Sequence, residues 1–474
     1  MNVGQKSPWV AMLFTALAGG MGWGIRGQYG HETGAMLAGL LVALVLVYLF
    51  GYHLSSLSAA RAVALATVAI GFGGSMTYGQ TLGLTQDAPL IGNMAALRWG
   101  LLGTFIKGSI WIGYFGLFLG LGLGGKKYTM VEMALALIVA IFLLYLGIYV
   151  INEPFDPSNR KLPSIYFSDN WYWQPEEALK PRREQWGGLL FALGWLIAYT
   201  GFIKKDLLTR NMALWGVLAG GLGFSFGQSI QAYHAWNVDW FQMGWLASIE
   251  PNINWWNMME ITFGAVFGCV LALGLWCNRH HIATNRSDEP IKLGFKTELG
   301  LMAIHIFALV TWNFMSFSTF DWFADRALTM GLIPLLAILG GRIWPYFVCL
   351  PITALPIAGK TLRQLAYRTD DISLLFGWLI YFIVPLALVT WFAIKLIQCP
   401  DKKLNGHLFS RRTLIISTIF YFVLNWAFFE FPWPWSDWTA RTPSGIIFII
   451  CAAGLLLLTF YFDPRKGRWQ FNSS

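Results

Sequence analysis

Apolar runs long enough to cross a lipid bilayer recur from one end of the chain to the other, and this repetition constrains the fold more than any motif does. A spanning helix needs about 20 predominantly apolar residues. Such runs fall at roughly 8–25, 33–51, 61–80, 97–124, 129–150, 187–203, 211–230, 257–277, 297–317, 327–341, 343–358, 373–397, 412–431 and 444–462. Of the 474 residues, 56% are hydrophobic and only 12% charged, too little charge to cover a water-soluble globule of this size. A soluble enzyme and a disordered chain are both excluded. The sequence predicts an all-α, polytopic integral membrane protein of about fourteen transmembrane helices, with residues 1–474 forming a single transmembrane domain. The start imitates a signal peptide, with Lys6 ahead of an apolar stretch and Ala16-Leu17-Ala18. The apolar run continues through Met21-Gly22-Trp23, so the segment reads as a retained first span.

The net charge of +9 sets orientation rather than a binding partner. With the N-terminus in the cytoplasm, the inner loops collect Lys126, Lys127, Lys204, Lys205, Arg210, Arg279, Lys402 and Lys403, and the tail adds Arg465, Lys466 and Arg468. The opposite loops, 81–96, 231–256, 318–326 and 432–443, carry mainly Asp87, Asp239, Glu250, Asp321, Asp325 and Asp437. The 151–186 loop is mixed in sign, and 359–372 is a basic exception. The expectation is a bacterial inner (plasma) membrane protein with both termini cytoplasmic. No basic stripe interleaves with exposed aromatics, so no nucleic-acid partner is expected. Five cysteines, Cys269, Cys277, Cys349, Cys399 and Cys451, show neither a CxxC nor a Cys/His spacing. No disulfide, metal or cofactor is therefore expected. Membrane lipid is the expected environment; the sequence leaves the oligomeric state open.

Two internal echoes suggest parallel four-helix repeats, with units near 26–155, 178–326 and 327–443. The run His31-Glu32-Thr33-Gly34-Ala35-Met36-Leu37-Ala38 resembles Arg183-Glu184-Gln185-Trp186-Gly187-Gly188-Leu189-Leu190, and Gly79-Gln80, taken as the close of the third span, resembles Gly227-Gln228, taken as the close of the seventh. Further on, Ile306-Phe307 with Trp312, Asp321-Trp322 and Arg326 is echoed by Ile419-Phe420 with Trp426, Asp437-Trp438 and Arg441.

The candidate chemistry starts in the glycine-rich stretch from Gly19 to Gly30. Its glycines permit a helix break or a close approach of backbones. Arg26, Gln28, His31 and Glu32 crowd into the short turn between the first two spans, and polar groups at that depth need partners or a wet cavity. A tight, solvated hairpin is the competing reading. Gln80 and Gln228 repeat the Gly-Gln pair of Gly27-Gln28, and a carboxamide both donates and accepts. Lys107 lies well inside the fourth span, where a bare ammonium costs about 3 kcal/mol. Glu260 and Glu32 are its expected partners; Glu430 ends the thirteenth span on the same side. Glu132 and Glu298 read as interfacial, and His305 as a helix-packing histidine. One face is rich in tryptophan: Trp171, Trp173, Trp236, Trp240, Trp245, Trp255, Trp256, Trp322, Trp433, Trp435 and Trp438. An aromatic belt accounts for this, yet flat rings beside His234, Asp239, Asp321 and Asp437 also suit sugar rings.

Two functions fit. The first is a transporter of a small polar, sugar-like or anionic solute, its cavity lined by Arg26, Gln28, Gln80, Gln228, Lys107 and Glu260, with His234, Asp239, Trp236 and Trp240 at the mouth. The alternative is a membrane-embedded glycosyl- or other group transferase acting at the outer face on a lipid-linked or carbohydrate substrate, with Glu32 as the catalytic carboxylate and His31 as its base.

Overall fold

The computed structural model describes residues 7–26, 31–74, 76, 78–175, 179–283, 358–359, 361–368, 372–397, 405–428 and 438–470, with a few positions between 294 and 307. The expected spans at 297–317, 327–341 and 343–358, the echo through Asp321, Trp322, Arg326 and Asp437, and the positions Gln28, His305 and Glu430 lie outside the described residues, as do the side chains of His31 and Glu32.

The described chain is overwhelmingly helical. In order come α1 (Trp9–Arg26), α2 (His31–Phe50), α3 (Ser56–Gly73), α4 (Gly79–Gln86), α5 (Met94–Leu123), α6 (Met130–Ile151), α7 (Trp186–Ala198), α8 (Leu207–Trp236), α9 (Trp255–Cys277), α10 (Val384–Ile397), α11 (Gly406–Phe428) and α12 (Thr442–Tyr461). A short antiparallel hairpin, β1 (Phe462–Asp463) with β2 (Arg468–Trp469), follows. Among the described residues, seven helices are long and apolar enough to cross a membrane, which is compatible with an integral membrane protein.

Local chemistry explains where the helices begin. Ser55, Asn93, Asp206 and Asn254 cap α3, α5, α8 and α9 by accepting a backbone N–H, and Thr129 with Glu132 closes a capping box on α6. Burial separates the helices into two kinds. Along α6, Val131, Leu135, Ile138, Phe142, Tyr145 and Tyr149 are exposed, an apolar face of the kind that meets lipid or another protein. By contrast α2 is buried on every side from Gly34 to Phe50.

Glycine allows the central helices to touch backbone to backbone. A Cβ on Gly19 of α1 would collide with the carbonyl of Gly264 on α9, and one on Gly220 of α8 would collide with that of Gly108 on α5. The stretch Gly19–Gly24 therefore does not break its helix. It runs continuously to Arg26 and serves close packing, because neighbours fill the space its missing side chains leave.

The contacts also fix direction. Gly100 and Gly103 of α5 meet Thr85 and Thr81 of α4, while Gly73 at the end of α3 meets Trp111, further down α5. Thus α3 and α4 run the same way along α5, as one helix interrupted between Gly73 and Gly79. The single span expected at 61–80 is corrected here: Gly79-Gln80 starts α4 rather than closing a span, and Gly227-Gln228 lies within α8, more than two turns from its end. The physical reason is composition. Gly71, Gly73, Gly74, Ser75 and Thr77 crowd poor helix formers into about two turns.

Candidate functional site

The interruption is the most unusual backbone feature among the described residues, and three polar clusters surround it. It sits at the level of Lys107 and Trp111, which flank the middle of the 30-residue α5, a helix about 45 Å long.

The first cluster joins α1 to α9. Arg26, the last residue of α1, is buried and donates to Glu260 Oε1 at 2.7 Å and to the Tyr78 hydroxyl. Trp256 Nε1 donates to the same carboxylate oxygen at 3.3 Å. The guanidinium lies 5.0 Å from the Trp23 ring, 5.1 Å from Tyr78 and 5.7 Å from Trp111, a cation–π cage that lowers the cost of burying charge. Below it Trp23 meets Trp111 at 4.9 Å and Phe263 at 4.4 Å, and Phe224 stacks on Phe263. Asn257 Nδ2 satisfies the Gly24 carbonyl at the end of α1.

The second cluster joins α5 to the loop ahead of α7. Lys107 Nζ donates to Glu184 Oε1 at 2.6 Å and to Thr81 Oγ1 of α4 at 2.7 Å. Glu184 is almost completely buried, and it also accepts from Ser168 Oγ, Phe167 N and Trp186 Nε1. Its lone pairs are thus well used, which a carboxylate in a low-dielectric site requires. The partner expected for Lys107 was Glu260 or Glu32; Glu260 instead neutralises Arg26, the cation within reach at its own level.

The third cluster lies along α4, from its start at Gln80 to Thr85 near its far end. Gln228 is buried and donates to Thr85 Oγ1 at 2.6 Å, and its Oε1 has no partner. Trp236 Nε1 donates to the Thr85 carbonyl at 2.8 Å. Gln80 staples the 152–185 loop to α4, donating to the Lys180 carbonyl and accepting from Arg182 N. Asp169, in the same loop, donates its backbone N–H to the Gln80 carbonyl. Burial and the nearby Asp87 push the Asp169 carboxyl up to about 6. Burial also raises Asp87, and Gln174 partly offsets that.

Arg26 and Gln228 therefore belong to different clusters along the interrupted helix, and Gln80, at the start of α4, bonds the 152–185 loop rather than either of them. His234 and the remaining aromatic candidates sit at the ends of α8 and α9. His234 stacks on Trp255 at 4.3 Å and bonds Glu250 at 3.1 Å, while Asp239 and Trp240 lie exposed in the turn Val238–Phe241. Tyr78, Thr81, Thr85, Trp111 and Glu184 were not anticipated as site residues. For Glu184 a signal existed: it aligns with Glu32 in the echo of Arg183-Glu184 with His31-Glu32.

The start of α4 is accessible at this level. Gly79 is exposed, and a Cβ placed on it would meet nothing within 4 Å. Lys180 and Arg182, whose backbone grips Gln80, are exposed as well. Among the described residues no group of three or more His, Cys, Asp or Glu is placed to hold a metal.

Comparison with family models, with characterised proteins and with solved structures finds no match in any of the three. What fold and site define is a helical protein with membrane-length apolar helices and one helix interrupted at half-height, ringed by buried ion pairs.

Proposed function

We propose that the chain is a transporter that moves a small polar solute, sugar-like or anionic, across the bacterial inner membrane. The observation that carries this reading is the interruption between α3 and α4, with the exposed Gly79 beside it. Irregular backbone at membrane depth is tolerated where it is buried in protein or lines a wet path, and interrupted helices form the substrate sites of many transporters. Such a break frees backbone N–H and C=O groups for a ligand, and the start of α4 adds a positive helix end. Arg26–Glu260 and Lys107–Glu184 bracket the break and supply charge that a passing solute or proton rearranges.

In this reading the chain has fourteen spans with both ends cytoplasmic, arranged as parallel four-helix repeats, and the 87–93, 152–185 and 237–254 loops face outward. The basic-residue asymmetry supports the orientation. The test is uptake into proteoliposomes of a panel of labelled monosaccharides and sugar acids, with and without a proton gradient. One solute is expected to accumulate saturably. Glu260→Gln, which keeps size and removes charge, is expected to abolish that uptake in protein that still inserts. Absence of uptake across the panel, or full uptake by Glu260→Gln, contradicts the proposal.

A further inference from the structure

The 152–185 loop does more than deliver Glu184. Where it folds over the start of α5 it lines an open cleft of about 400 Å³, within the range of small-ligand sites. Trp99, Tyr166, Tyr172 and Trp173 form its walls, and Ser164 and Asn170 stand at its polar edges. The rest of the lining is aliphatic, so no residue of the cleft carries a charge.

These aromatic walls are fixed before any ligand arrives. Trp99 Nε1 donates to the Tyr166 carbonyl at 2.9 Å, and the Tyr166 hydroxyl donates to the Arg182 carbonyl at 2.9 Å. Trp99 and Trp173 both pack on the small apolar cluster of Leu84, Leu90 and Ala96, which ties the cleft to the end of α4. Asn170 is held by the Ser168 carbonyl and by Tyr172 N, each a single bond on an atom able to make a second. Tyr172 is 68% exposed, so its ring meets solvent rather than core.

We propose that this cleft binds a neutral carbohydrate ring. A pyranose presents C–H faces that lie flat on aromatic rings and an equatorial rim of hydroxyls that both donate and accept. Rigid aromatic walls with a hydroxyl and a carboxamide at the edge match both demands, and the absence of charge disfavours phosphate and carboxylate ligands. The cleft lies against the loop that staples α4, so it is placed to capture a sugar beside the interrupted helix. That role rests on the transport reading; binding itself does not.

The experiment keeps the two apart. The full chain is placed in nanodiscs, free of glycoside detergents, and its tryptophan fluorescence is titrated with methyl glycosides of glucose, galactose, mannose and N-acetylglucosamine, and with choline. Nanodiscs with and without a glucosyl diacylglycerol distinguish a free sugar from a lipid-borne one. Saturable quenching by at least one glycoside, or competition by the glycolipid, is expected. Tyr172→Ala is expected to weaken it at least tenfold, and Trp173→Phe, which preserves packing, less. No saturable response to any sugar, equal binding by native protein and Tyr172→Ala, or preference for choline overturns the proposal. A chain that binds a glycoside here yet fails every uptake assay overturns transport and leaves the cleft standing.

Discussion

At the scale of single residues, the buried ion pairs dominate. Lys107 and Glu184 lie where neither charge reaches water. Removing one partner strands the other, a loss of about 3–5 kcal/mol. Lys107→Met and Glu184→Gln are each expected to lower the thermal midpoint sharply, while the double substitution recovers most of it, because no lone buried charge then remains. Melting curves of the four proteins in nanodiscs check this; additive losses would show that the pair contributes no coupling. Asp169 gives a pH signature of opposite origin. Its proton is held up to about pH 6 in the folded loop, whereas an unfolded aspartate releases it near 4. Between these values the folded state binds more protons, so Asp169's contribution to stability falls as pH rises from about 4 to about 6. Asp169→Asn keeps the neutral form. It is expected to melt above native protein at pH 7 and level with it near pH 4, and equal melting at both pH values would contradict the burial argument.

Among the elements, the interrupted helix and the glycine seams carry the architecture. Gly220 faces the Gly108 carbonyl so closely that no side chain fits. Gly220→Val is expected to cost about 3 kcal/mol or more through forced separation of α5 and α8. Gly79→Ala, with nothing within 4 Å, is expected to leave the stability within about 1 kcal/mol of native. Paired melting measurements in detergent separate the two cases. Helix positions were legible in the sequence because apolar runs of spanning length have no other stable home. The interruption was not, because hydropathy averages across Gly71–Tyr78 and the segment reads as one apolar run. Its signal was the crowding of Gly, Ser and Thr, a matter of helix propensity rather than polarity. In the site, Arg26, Lys107, Glu260 and Gln228 stood out as polar groups in apolar surroundings. Their pairing did not, since Glu184 reaches Lys107 through a loop whose path no periodicity encodes.

On the scale of the whole molecule, antiparallel contacts between α1 and α9, α5 and α8, and α8 and α9 wrap a bundle around a break at half-height. Exposed apolar residues along α6 form the face that lipid would cover in a membrane. The account stands on water reaching the break. Its most direct test is thiol accessibility in a background with all five native cysteines replaced. Gly79→Cys, a position with open space around it, is treated in intact membranes with a membrane-impermeant methanethiosulfonate, alongside Ile138→Cys on the lipid-facing side of α6. Rapid modification of Gly79→Cys with Ile138→Cys left unmodified is the expected result. A Gly79→Cys protein that stays unreactive until it is denatured would contradict the account.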